Sequence, residues 1–251
     1  MKYFIITGAS KGLGEGIALE LLDENHTLLC IARGSSEKLR QLAAAKNCRV
    51  RFFNYDLSDH TGINPLMDNI FKQIQGEQAE GIYLVNNAGT VKPVARVEDY
   101  DAEAVKTHLH LNLLAPMLLS AAFIRLTKDV SCTKRILNIS SGAAQNPYYG
   151  WGCYCTGKAG VDMFGRCISE EQQGEPNPVE TMGVAPGIID TDMQTAIRST
   201  DERAFIHKQK FVDLKESGQL IAPAIAGKKL AKLLLSDLFK DGTITDIRDT
   251  Y

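Results

Sequence analysis

The sequence predicts an α/β fold: a single domain in which a doubly wound parallel sheet is flanked by helices. Three observations predict it. Short apolar runs alternate along the chain with longer segments of helical spacing, the rhythm of parallel strands joined by helical crossovers. The strand candidates are near-continuous apolar runs without polar alternation, as expected when both faces of a sheet are covered. No linker-like or low-complexity stretch divides the 251 residues, and their 44% hydrophobic content is enough for one substantial core.

The elements follow in order. Residues 3–6 form a first strand candidate, and 13–22 carry apolar residues at helical spacing. Residues 27–32 read as a second strand and 37–45 as a helix. A third strand at 50–55 and a helix at 63–74 lead to a short fourth strand, 82–85, which ends at Asn86-Asn87-Ala88-Gly89. Residues 103–126 form a long helical stretch containing Pro116. A strand at 135–140, a helix at 157–171 and a strand at 179–184 follow, and 223–235 is a late helix. Residues 191–218 are more polar and less regular. An insertion placed late in such a fold reads as a substrate lid, so one domain spanning residues 1–251 with a lid at 191–218 is expected.

Charge and composition exclude several classes. Lys and Arg number 28 against 30 Asp and Glu, a net charge of −2, so a polyanion such as nucleic acid is not an expected partner. Charges or glycines interrupt each apolar run, so no membrane-spanning segment is expected. The first strand begins too early for a signal peptide. The six cysteines form no Cys-x-x-Cys pair and no zinc-spaced cluster, which fits buried, reduced thiols in a cytoplasmic protein. No metal site is expected. His108 and His110, two apart on a helix, do not face each other and read as surface or interface residues.

The first strand runs into Thr7-Gly8-Ala9-Ser10-Lys11-Gly12-Leu13-Gly14. At a strand-to-helix turn, Gly8 permits the tight turn, Gly12 admits a pyrophosphate close to the backbone, and Gly14 lets the helix pack on the strand. The helix N-terminus then offers unpaired N–H groups to phosphates. The spacing departs from G-x-G-x-x-G, but its place after the first strand gives it weight. A carboxylate at the end of the second strand would bind the ribose hydroxyl of NAD; here that strand ends in Arg33-Gly34. Arg33 suits a 2′-phosphate, and Lys11 adds a second cation nearby, so NADP(H) is the expected dinucleotide. Asp56, in Tyr55-Asp56-Leu57, is either an acceptor for the adenine amino group or a helix cap with Ser58 and Asp59.

Four positions stand out as a catalytic set: Asn112, Ser141, Tyr154 and Lys158. Tyr154 and Lys158 are four apart and share a helix face. An ammonium beside a phenol favours the phenolate and brings its acidity toward the working range. Ser141 follows the fifth strand, at the sheet edge where ligands bind, and its hydroxyl is placed to hold a substrate carbonyl oxygen. Asn112 is a mediocre helix former inside a long helix, which points to a task such as holding a water that links Lys158 to solvent. Trp151 and Tyr148 form either an aromatic wall for a flat substrate or ordinary packing under the lid.

These motifs together resemble the short-chain dehydrogenase/reductase family over essentially the whole length. The resemblance rests on the glycine loop, Asn86-Asn87-Ala88-Gly89, Asn112, Ser141, Tyr154-x-x-x-Lys158 and Pro186-Gly187-Ile188-Ile189-Asp190-Thr191. It implies a Rossmann-type fold and an oxidoreductase acting on a small carbonyl substrate. Tyr154 is then the acid–base, Lys158 contacts the nicotinamide ribose, and Ser141 positions the carbonyl. Asn112 completes a proton relay, and Asn87, Ala88 and Gly89 support the adenosine side. Pro186, Gly187, Ile189 and Thr191 hold the nicotinamide end. The resemblance also implies a homodimer. Residues 146–160, Pro186 to Gln194 and Asp246-Ile247-Arg248-Asp249 are similar, more narrowly, to sepiapterin reductases and bacterial benzil reductases. That similarity makes Asp246 a candidate substrate anchor and a ketone of a dicarbonyl the expected substrate. Rival readings are a reductase of acyl or sugar ketones and a non-catalytic NADP-sensing protein. The second usually lacks the tyrosine or lysine, and both are present here.

Overall fold

The expected strand rhythm appears in the computed structural model of the chain, which describes residues 1–250. The strands are β1 (Lys2–Thr7), β2 (His26–Ala32), β3 (Arg49–Asn54), β4 (Gly81–Asn86), β5 (Thr133–Ile139), β6 (Glu180–Ala185) and β7 (Thr243–Asp246). All pair in parallel, in the order β3-β2-β1-β4-β5-β6-β7. The helices are α1 (Gly12–Glu20), α2 (Glu37–Ala45), α3 (Ile63–Phe71), α4 (Ala102–Leu109), α5 (Ala115–Thr127), α6 (Gly152–Gln172), α7 (Asp192–Arg198), α8 (Lys208–Glu216) and α9 (Pro223–Leu235).

Period-two geometry explains why β1, β2 and β4 read as unbroken apolar runs, whereas β3, at the sheet edge, alternates exposed Arg49 and Arg51 with apolar residues. Phe4 and Ile6 of β1 pack with Ile17 of α1 and Leu230 and Leu234 of α9. Tyr3 and Ile5 point the other way, into a core with Met67 of α3 and Leu119 and Phe123 of α5. Helix α9 lies close against α1. A Cβ on Gly16 would overlap the Pro223 carbonyl, and one on Gly227 would overlap the Gly16 backbone. Strand order reverses between β1 and β4, so their carboxyl ends open a crevice where open α/β sheets bind ligands.

Several expectations need correction. Strand β7 was not anticipated: its four residues, Thr-Ile-Thr-Asp, carry too little apolar signal. Helix α6 begins at Gly152 rather than at 157, which places Tyr154 in its first turn. The stretch 103–126 is continuous but not uniformly α-helical, because His110–Leu114 between α4 and α5 forms a wider π turn. Pro116 supplies a reason. It has no N–H for the carbonyl of Asn112, and its ring would clash there in a regular helix, whereas an inserted residue relieves the clash. The expectation that no apolar run is long enough to span a membrane also fails by composition. Ala102–Thr127 is 26 residues long and, by length and composition, apolar enough to cross a membrane. In this fold one face of that stretch packs on α3, α6 and the sheet.

Residues 191–218 are more regular than expected. They form α7 and α8, two short polar helices, and the ends of the excursion are tied by an Ile189–Ile221 bridge and a 2.6 Å Lys215–Asp190 ion pair. A third apolar cluster joins Ile197, Phe205 and Phe211 of this excursion to Val91, Ala143, Trp151 and Tyr154.

Candidate active site

The glycine loop is stitched to the end of β4. The Thr7 hydroxyl donates to the Val85 carbonyl (3.1 Å) and accepts from the Asn87 and Ala88 backbone N–H groups (2.8 and 2.9 Å). The Asn87 amide donates back to the Thr7 carbonyl at 2.8 Å. Gly8 and Gly12 have φ of 68° and 60°, in the left-handed region where a side chain is strained. A Cβ on Gly14 would meet the Gly8 carbonyl and, at 2.5 Å, the Asn87 amide. Helix α1 starts at Gly12 without a side-chain cap, so its first N–H groups face the loop between Ser10 and Leu13. This open, uncapped loop fits a pyrophosphate. Across the crevice Thr191, at the start of α7, places its Cγ2 3.3 Å from where a Gly12 Cβ would stand. Pro186 and Gly187 follow β6 directly, with Gly187 at φ 82°.

At the end of β2, exposed Arg33 reaches Asp56 at 3.7 Å. Asp56 does not cap a helix, because α3 starts only at Ile63. Its Oδ1 accepts from the Ser58 N–H (3.0 Å) and hydroxyl (2.8 Å), and these bonds, with Arg33, hold its carboxyl below the usual range. Leu57 beside it is buried. Lys11 corrects an expectation. It forms a 2.6 Å ion pair with Asp192 at the start of α7, with both side chains largely exposed.

The four residues expected to act together converge at the end of β5. Ser141 follows β5 and caps the short turn Gly142–Ala144, its Oγ accepting from the Ala143 N–H at 3.2 Å. Tyr154 and Lys158 are 8% and 7% exposed on the inner face of α6. Burial raises the pKa of the Tyr154 phenol above its ordinary value, and a hydrogen bond with the Ser141 hydroxyl opposes this. Burial pulls the Lys158 ammonium down to about 8, with the Asp162 carboxylate opposing. Lys158 Nζ donates to the Ile139 carbonyl at 2.7 Å and stands 5.9 Å from the centre of the Tyr154 ring. Asn112 Oδ1 accepts from the Thr90 N–H (2.8 Å) and its Nδ2 donates to the Thr90 carbonyl (2.7 Å). A Cβ at Gly89 would lie 3.3 Å from Asn112 Oδ1 and 3.9 Å from Lys158 Nζ, so the two side chains meet over that glycine.

The profile of the short chain dehydrogenase family matches residues 2–202. The chain belongs to that family. It is therefore an oxidoreductase of a group whose cofactors are NAD(H) or NADP(H). It is 42% identical to the benzil reductase ((S)-benzoin forming) of Bacillus cereus, over 98% of this chain and 99% of that protein. It is 32% identical to the sepiapterin reductase of Bos taurus, over 98% of this chain and 94% of the other. The crystal structure of the KRED1-Pglu enzyme superimposes with a TM-score of 0.81 at 29% identity, covering 97% and 100% of the two chains.

Within this short-chain dehydrogenase framework two substrate-side expectations meet different outcomes. Trp151 is buried, stacked on Phe205 (4.9 Å between centroids, 8° between planes) and edge-on to Tyr154 at 5.5 Å, so it roofs the tyrosine while packing against the 191–218 excursion. Its indole Nε1 is buried without a partner. Asp246 ends β7 opposite Ala185, but its carboxylate is held by Arg248 (2.8 and 2.7 Å), not by any group of the Tyr154 site.

Other residues at the site escaped the sequence reading. Asp162 is buried and accepts from the Ser140 hydroxyl at 2.7 Å. His108 is 0% exposed, not a surface residue, because α4 turns that face onto α6. The usable signal was its spacing of four from Asn112 rather than of two from His110. His110 is half-buried, against Ser58 and His60. The six cysteines are unpaired; Cys30, Cys48 and Cys153 are buried, whereas Cys167 is exposed.

Proposed function

We propose that the chain is an NADPH-dependent carbonyl reductase that delivers hydride to a ketone of a dicarbonyl substrate, aromatic and benzil-like or pterin-like as in sepiapterin. The observation that carries this reading is the buried Tyr154 phenol flanked by Ser141 and roofed by Trp151. Burial keeps the phenol protonated at neutral pH, which is the form a general acid needs for reduction. Bound NADPH supplies the hydride. Tyr154 gives its proton to the carbonyl oxygen, and the Ser141 hydroxyl and the phenol together meet the charge developing there. Lys158 and Asn112 connect the phenol to the nicotinamide ribose and to solvent. The glycine loop, Asn87, Ala88 and Gly89 hold the dinucleotide, with Pro186, Gly187, Ile189 and Thr191 at its nicotinamide end. Arg33 meets the 2′-phosphate, beside Asp56 and Leu57. The 191–218 excursion is a substrate lid, and Asp246 anchors substrate once Arg248 releases it. The enzyme works in the cytoplasm as a homodimer joined through α5 and α6.

The resemblance to a benzil reductase over nearly the full length of both chains favours the diketone. The deciding experiment compares benzil, sepiapterin and an acetoacetyl thioester, each with NADPH and with NADH. Faster turnover of the diketones with NADPH is expected. A thioester preference, or a marked NADH preference, contradicts the reading.

A further inference from the structure

His108 lies outside the motifs that place this chain in its family, yet it is fully buried beside them. It sits one helical turn before Asn112, on the last turn of α4 ahead of the π turn. Helix α6 comes close to it at Gly157, where a Cβ would stand 3.2 Å from His108 Nε2 and 3.3 Å from Asn112 Cβ. That glycine lies between Tyr154 and Lys158, and the His108 ring is edge-on to Tyr154 at 6.3 Å.

The hydrogen bonds determine the protons. His108 Nδ1 is 2.6 Å from the Lys92 carbonyl, which can only accept, so Nδ1 carries a hydrogen. The Asn112 amide is oriented by the Thr90 backbone: Oδ1 faces an N–H and Nδ2 faces a carbonyl. Nδ2 therefore presents its second hydrogen to His108 Nε2, 3.2 Å away. Nε2 must accept, and the imidazole is the neutral Nδ1–H tautomer. Adding a proton to Nε2 would set donor against donor at Asn112, break that contact in favour of the Cys153 carbonyl, and place a second cation facing Lys158.

We infer that His108 is a positioning residue for the reaction: its Nε2 accepts the second Asn112 amide hydrogen and so completes, with the Thr90 backbone, the orientation that serves the Tyr154–Lys158 pair, and protonation of that nitrogen breaks this contact. The groups facing the ring are Lys158, Tyr154 and Cys153 from α6, Asn112 from the π turn, and Lys92 through its carbonyl. Burial and the Lys158 charge hold the imidazole below its ordinary range, while the Lys92 and Cys153 carbonyls pull the other way. Turnover is then lost only at acid pH, below the ordinary imidazole range, without any change in bound dinucleotide.

This inference rests on the Tyr154 reading, and its test separates the two. His108→Gln keeps an amide oxygen near the Nε2 position and cannot ionise. His108→Asn keeps a donor for Lys92 but is too short to reach Asn112. For the Gln enzyme we expect kcat within about threefold of the parent at pH 8, with no fall at acid pH. For the Asn enzyme we expect kcat at least tenfold lower at every pH, with NADPH affinity retained. A Gln enzyme that keeps the parent's acid limb, or that is as slow as the Asn enzyme, overturns the inference, as does an Asn enzyme with parental kcat. If Tyr154→Phe is inactive while His108→Asn is fully active, only this inference falls; an active Tyr154→Phe removes the reading beneath it. Nitrogen NMR of the histidine-labelled parent protein needs no variant. It should show His108 with hydrogen on Nδ1 alone at pH 7.5, and an Nε2–H tautomer or an imidazolium there contradicts the inference.

Discussion

Arg33 stands exposed at the end of β2 with a single long contact to Asp56, so it has charge to offer a phosphate. Removing it as Arg33→Ala should raise the KM for NADPH about 10- to 100-fold, the loss of one charge-assisted bond, and leave the KM for NADH unchanged. Equal effects on both cofactors would remove Arg33 from the 2′-phosphate. Lys158 carries a different consequence. Its pKa falls from an ordinary 10.5 to about 8 on burial, so the folded protein holds this ammonium at a cost of about 3 kcal/mol. A depressed lysine penalises folding at pH below about 8, and the penalty fades as pH rises toward 10.5. Lys158→Met should therefore be more stable than the parent in urea at pH 7, by up to about 3 kcal/mol less about 1 for the lost bond to Ile139. The gap should narrow by pH 10, while activity is lost. Ser141, Tyr154 and Lys158 were legible as a set because residue type and spacing declared them. His108 and Asp162 were not, because what identifies them is burial against α6 and β5, which no local pattern encodes.

Among the elements, α1 and α9 cross so closely that Gly16 and Gly227 leave no room for a methyl group. Gly227→Ala should cost about 1–3 kcal/mol, lowering the melting temperature by several degrees and loosening the glycine loop at the start of α1. Calorimetry with and without NADPH reads both effects, and an unchanged melting point contradicts the packing. Strands β1, β2 and β4 and helices α1, α2, α3 and α9 could be read from the sequence because each buries a continuous apolar run or stripe. The π turn could not, since its cause is one proline acting on a carbonyl four residues away. Helices α7 and α8 were hidden for a related reason: their few apolar residues, among them Ile197 and Phe211, serve the Trp151 cluster rather than the main core.

For the whole molecule, Met163 of α6 is 56% exposed, and the most apolar window of Ala102–Thr127 is only 39% buried within the chain. A dimer joined through α5 and α6 would cover this face, so Met163→Arg should convert the protein to monomer in sedimentation at micromolar concentration. An unchanged sedimentation coefficient contradicts that arrangement. The doubly wound topology was readable from the order of elements alone, whereas the small edge strand β7 depends on pairing with β6 and was not. The central claim is that the Tyr154 phenol delivers the proton in a reaction the rest of the fold arranges. The most direct measurement is single-turnover oxidation of bound NADPH by benzil in the parent and in Tyr154→Phe, with NADPH affinity measured alongside. The account predicts equal affinity and a rate about 10²- to 10⁴-fold lower in the variant; equal rates would contradict it.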